Sequence, residues 1–158
     1  FLPHGNYQKL VVEEMKGKPK TGNIVTEDGE VLGKHNGLFN YTIGQRKGLG
    51  IAYKHPLYVI GFNGDRNEVI VGPNERLFTN RMICKFYNFL DDTVHKELKA
   101  EGKIRYAANP SPCTARILDD DTMEVIFEEP QRAITPGQSV AFYNGTQLLG
   151  GAVIDRVC

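Results

Sequence analysis

From Asn23 almost to its C-terminus the chain is a succession of short β-prone runs separated by turn-forming residues, and that texture narrows the possible folds more than anything else in it. Residues 23–26 and 30–32 flank Glu27-Asp28-Gly29, and residues 57–61 and 68–72 flank Asn63-Gly64-Asp65, so two hairpins are expected in the first half. Between them, residues 38–43 read as a strand, with a single helical turn as the alternative. Downstream, strands are expected at 82–89, 103–106, 113–118, 123–127, 139–143, 147–149 and 152–157. Asp119-Asp120-Asp121-Thr122 and Asn144-Gly145 supply the turns, and Gly150-Gly151 a bulge or barrel corner. The fold class is therefore mainly β: a small β-rich domain with one short helix, then a six- or seven-stranded antiparallel β-barrel. Pro73-Asn74 marks the division, giving domains 1–76 and 77–158. The helix is expected before the first hairpin, where Asn6 is an N-cap, Tyr7, Leu10, Val11 and Met15 share one face, and Gly17 and Pro19 end the pattern.

Composition removes several function classes. The 158 residues are 41% apolar and 24% charged, ordinary for a globular chain. No apolar run approaches the ~20 residues of a membrane span, and Phe1-Leu2-Pro3-His4 lacks the basic and apolar regions of a signal peptide. The chain begins with Phe rather than Met, from which a piece of a longer protein is expected. Lys plus Arg equals Asp plus Glu at 19 each, so any nucleic-acid site must be local. Cys84, Cys113 and Cys158 are odd in number and far apart, with no Cys-x-x-Cys or Cys/His cluster. That pattern fits neither a disulfide framework nor a metal site, and the reducing cytoplasm is the expected compartment.

The chemistry-bearing stretch is Tyr-Thr-Ile-Gly-Gln-Arg-Lys-Gly-Leu-Gly at 41–50. Its glycines allow positive φ or close approach, and Gln45, Arg46 and Lys47 suit a polyanion; the other reading is a tight turn with solvated polar residues. A P-loop is excluded, because Lys47 precedes Gly48 and no helical pattern follows; a dinucleotide fingerprint fails for want of a βαβ unit. Cys84 and Cys113 alternate with apolar neighbours as small core residues do, and no catalytic residue is expected in the chain. His4, His35, His55 and His95 are dispersed and read as surface or turn residues. Two further places stand out. Arg105-Tyr106 sets a cation beside an aromatic ring, able to meet a phosphate and stack on a base, and Gln138 follows Pro136-Gly137 at a strand mouth. Tyr106 reads equally as a core ring alternating with Arg105 on the solvent face.

The sequence resembles the bacterial and organellar tRNA-specific 2-thiouridylases. The resemblance rests on His35-Asn36-Gly37, the whole 41–50 stretch, Lys103-Ile104-Arg105-Tyr106, Glu129-Pro130-Gln131-Arg132-Ala133-Ile134-Thr135-Pro136-Gly137-Gln138, Phe142-Tyr143-Asn144-Gly145 and Leu149-Gly150-Gly151, in the family's order. It implies a piece made of the family's central domain and its C-terminal barrel, a barrel similar to those of translation factors. The N-terminal PP-loop catalytic domain would lie upstream, as would both catalytic cysteines, the second directly before Phe1. Relatives often carry Trp where this chain has Leu57, another Trp near Phe89 and a third glycine where Ala152 stands, whereas this chain has no tryptophan.

In such enzymes ATP, with magnesium, activates the C2 oxygen of the wobble uridine and a cysteine persulfide delivers sulfur. The resemblance therefore implies tRNA, the catalytic domain and a sulfur-relay protein as partners, no membrane, no cofactor held by this chain, and no activity of the chain alone. It assigns tRNA contact to Arg105, Tyr106 and Gln138, and sets Gln45, Arg46 and Lys47 against either the RNA or the catalytic domain. The alternative function is a protein-interaction or structural module that docks the catalytic domain or the sulfur carrier without binding tRNA itself.

Overall fold

The computed structural model describes residues 16–17, 20–91 and 96–158. The expected helix falls, but for positions 16 and 17, outside the described residues. The chain divides between Leu77 and Phe78 into two compact units, each with its own apolar core.

The first unit is one four-stranded sheet of β1 (Gly22–Thr26), β2 (Val31–His35), β3 (Tyr58–Asn63) and β4 (Glu68–Gly72) in the order β2-β1-β4-β3. Both expected hairpins form, and they join through β1 and β4, which run parallel. Parallel pairing needs a long crossover, here residues 36–57 together with β3. Residues 38–43 are not a strand: Leu38–Asn40 make one 3-10 turn, which buries Leu38. Leu38, Leu49 and Leu57 drop from the crossover onto Ile24, Val59, Val69 and Val71, so the connection supplies part of the core instead of a ladder. Residues 44 and 45 then line the open edge of β3. The Gly44 N–H donates to the Val59 carbonyl at 2.8 Å, and the Val59 N–H to the Gln45 carbonyl at 2.9 Å, so the glycine-rich stretch occupies an edge that would otherwise be free to pair.

The second unit is a closed six-stranded barrel of β5 (Phe78–Phe89), β6 (Glu97–Lys103), β7 (Ser111–Ile117), β8 (Thr122–Arg132), β9 (Ser139–Asn144) and β10 (Gln147–Val157), ordered β10-β5-β8-β7-β6-β9 with every pair antiparallel. Its interior follows the period-two rule: Met82 and Cys84, Cys113 and Ala115, Met123, Val125 and Phe127, Val140 and Phe142, Ala152 and Ile154 all point inward. The two runs expected at 147–149 and 152–157 are one strand, and the ladder slips at Gly150 and Gly151. An alanine at Gly150 would place its Cβ 2.2 Å from the Asn88 carbonyl oxygen, which is why the barrel turns its corner there on glycine. The β9–β10 loop is Gly145-Thr146, closed by Asn144 opposite Gln147; positive φ occurs only at Gly145, as in a II′ turn.

The strand expected at 103–106 is displaced. Its residues 97–102 pair with β7, the last rung is Gly102 opposite Ser111, and beyond Lys103 the chain turns away. Glu97, Lys99 and Glu101 are poor strand formers, so the pairing is imposed by neighbouring strands rather than announced locally.

Candidate nucleic-acid interface

Past β6 the chain buries Ile104 and closes a turn in which the Ala108 N–H donates to the Arg105 carbonyl at 3.1 Å. Anchoring by Ile104 pushes the next two side chains outward. Arg105 swings to the β8–β9 connection, where its Nη1 donates to the carbonyls of Arg132 (2.9 Å) and Ala133 (3.2 Å). Ala133 has a φ of 57°, a conformation uncommon for a residue with a side chain, and Arg105 holds the carbonyls on either side of that kink. Tyr106 stands 96% exposed, which excludes the core-ring reading, and the Lys103 ammonium lies 5.3 Å from its ring centroid.

Gln138 ends the connection that Arg105 grips. Its N–H donates to the Thr135 carbonyl at 3.2 Å, and its own carbonyl accepts from the Ile154 N–H at 2.8 Å, while the Gly137 N–H donates to the Ile154 carbonyl at 2.7 Å. The backbone is thus fixed to β10 and the side chain is left at the surface. The structure brings the 104–110 turn and the 132–138 connection together through Arg105. A guanidinium, an exposed ring with a cation beside it, and an amide are donors and a stacking face suited to phosphate and unpaired base. The sequence names Lys103 only as part of the 103–106 motif and gives it no role; its place over the Tyr106 ring emerges with the turn.

In the first unit, Gln45 differs from its two neighbours. Its Oε1 accepts from the Thr42 N–H at 3.0 Å and its Nε2 donates to the Lys47 carbonyl at 2.9 Å, so the side chain is spent in shaping the loop. Arg46 and Lys47 are exposed. His35 is no surface residue: at 1% exposure, its Nδ1 accepts from the Gly37 N–H (3.1 Å) and its Nε2–H donates to the Asn67 carbonyl (2.8 Å), which selects the neutral Nε2–H tautomer. Tyr41 meets its ring edge-on at 5.8 Å, and burial raises the Tyr41 phenol above its ordinary pKa.

The thiols are placed for packing. Burial, with the Asp155 carboxylate adding to it, pushes Cys84 up to about 12. Burial pushes Cys113 up to about 11 against a backbone hydrogen bond from Gly102, so neither is a nucleophile near neutral pH. Cys158 is exposed. Among the described residues no three His, Cys, Asp or Glu side chains converge as metal ligands, and no helix is long and apolar enough to cross a membrane.

Comparison with known proteins covers both units. Residues 10–73 match the family described as tRNA methyl transferase PRC-barrel domain, and residues 79–154 the family described as Aminomethyltransferase beta-barrel domain. Among curated relatives, the tRNA-specific 2-thiouridylase MnmA of Clostridioides difficile (strain 630) is 43% identical over 99% of this chain, which spans 44% of that protein. Proteins of the same name from Geobacter metallireducens and Carboxydothermus hydrogenoformans are 42% and 43% identical over 98% and 99% of the chain, and it spans 42% and 43% of their lengths. The chain thus covers less than half the length of these relatives. With each unit matched in turn and identity sustained from end to end, the chain belongs to the family of the tRNA-specific 2-thiouridylases.

Proposed function

We propose that this chain holds and orients tRNA for a tRNA-uridine 2-sulfurtransferase, so that the wobble uridine, turned out of its stack, reaches a catalytic domain that the chain itself does not supply. The observation that carries the reading is the Arg105 clamp. One arginine ties the 104–110 turn to the carbonyls of Arg132 and Ala133, and these two segments carry the exposed side chains of Tyr106 and Gln138. The described residues do not fit the sulfur transfer itself. The buried thiols of Cys84 and Cys113 are held protonated. In this reading ATP with magnesium, the persulfide cysteines and the docking of a sulfur-relay protein belong to the rest of the enzyme, and inactivity of the chain alone is part of the proposal. The cytoplasm, where tRNA is modified and thiols stay reduced, is the proposed compartment.

Photocrosslinking of the chain to tRNA followed by peptide mapping tests the reading. Crosslinks at Tyr106 and within residues 132–138 are expected; crosslinks confined to other surfaces would overturn it.

A second reading, docking of a protein partner, has its own observation. Phe86 and Leu118, 68% and 52% exposed, lie next to the Asp119–Thr122 turn, to which the Phe86 N–H is bonded through the Asp121 carbonyl at 3.1 Å. Co-purification of the catalytic domain that is lost in Phe86→Ser, with tRNA binding retained, would support this role.

A further inference from the structure

The first unit carries a cleft of about 420 Å³ between the end of the 41–50 stretch and residues 51–57. Its floor is Leu49, Ile51 and Leu57, which belong to or pack on the unit's core, and its rim is Arg46, Tyr53, Lys54 and His55. Among the described residues no acidic side chain lines it. Tyr53 and His55 meet edge to face at 4.9 Å and 86°, and the Lys54 ammonium stands 5.9 Å from the Tyr53 ring centroid. Gly48 and Gly50, at φ 77° and 64°, form the wall with no side chain to block the approach of another backbone.

We infer that this cleft is a second RNA site, which takes one unpaired nucleotide with its base against Tyr53 and the apolar floor and its phosphate at Lys54 and Arg46. The exposed Tyr53 ring beside the Lys54 ammonium, in an open cleft with Arg46 on its rim, answers the two faces of a nucleotide. An acidic peptide would use the cations but leave the ring and floor without a planar partner. The inference rests on the proposed tRNA role and gives the 41–50 motif a definite part in it, since Gln45 folds the loop and the loop presents Arg46 to the cleft.

The test uses the isotope-labelled 158-residue chain and hexauridylate. Chemical-shift changes are expected to concentrate at residues 46–57. Tyr53→Ala is expected to weaken hexauridylate binding about five- to a hundredfold, and Lys54→Gln to lower the log–log salt slope by about 0.7. Variants whose amide spectrum and melting match the wild type yet bind hexauridylate as tightly would overturn the site. So would stronger shifts of the same resonances by hexaglutamate, which would make it a peptide site. The two proposals fail separately: Arg105→Ala reports on tRNA held by the barrel, and Tyr53→Ala with hexauridylate reports on the cleft.

Discussion

At the scale of single residues, chemistry-bearing side chains divide into those that shape backbone and those that face solvent, and the sequence does not tell them apart. His35, Gln45 and Arg105 each complete hydrogen bonds to main-chain groups. Of these, His35 is the buried one, and removing it exposes the cost of unpaired buried polar atoms. His35→Ala strands the Gly37 N–H and the Asn67 carbonyl and is expected to destabilise the first unit by about 1–3 kcal/mol, read from denaturant unfolding. The thiols give a second prediction. With Cys84 and Cys113 held well above the ordinary thiol value of 9.0, a thiol reagent at pH 8 should modify Cys158 alone in the folded chain and all three cysteines in denaturant. Because the folded pKa values are raised, the folded barrel retains those protons longer than the unfolded chain. Their contribution to stability is complete below about pH 9 and falls as pH rises toward the folded values of about 11 and about 12, which melting against pH will show.

At the scale of elements, turns are legible in the sequence and edges are not. Glu27-Asp28-Gly29, Asn63-Gly64-Asp65 and Asn144-Gly145 announce hairpins because Gly, Asn and Asp favour turns, and β4 occupies the residues 68–72 that its β-rich run indicates. By contrast, β6, Glu-Leu-Lys-Ala-Glu-Gly-Lys, has no β-branched or aromatic residue and owes its strand to pairing with β7 and β9. The crossover at 38–43 reads as a strand because Leu38, Tyr41 and Ile43 are apolar, but they pack on the sheet face instead of extending its ladder. Gly150 sits where the strand must bend around its neighbour. Gly150→Ala is expected to cost at least the ~1–3 kcal/mol typical of overpacking, since the obstruction is a backbone carbonyl that cannot rotate away. A lowered melting temperature, with first-unit amide shifts unchanged, is the expected signature. Gln45→Ala should act on the other unit, leaving the core intact and speeding hydrogen exchange at the Val59 amide, which donates to the Gln45 carbonyl.

At the scale of the whole chain, two small units share 158 residues with no net charge, so the proposed RNA affinity rests on a few placed groups rather than on a basic field. The sequence indicates Arg105, Tyr106 and Gln138 one by one. It cannot indicate that Arg105 spans from the 104–110 turn to the carbonyls of Arg132 and Ala133, because that closeness exists only once β6 and β8 are in one barrel. The proposed tRNA site is this clamp. Titration of tRNA with the chain by fluorescence anisotropy across a salt series tests it most directly. Binding with a shallow salt slope is expected, weakened at least tenfold in both Arg105→Ala and Gln138→Ala while the barrel stays folded. Equal affinity of the folded Arg105→Ala chain and the wild type at every salt concentration would contradict it.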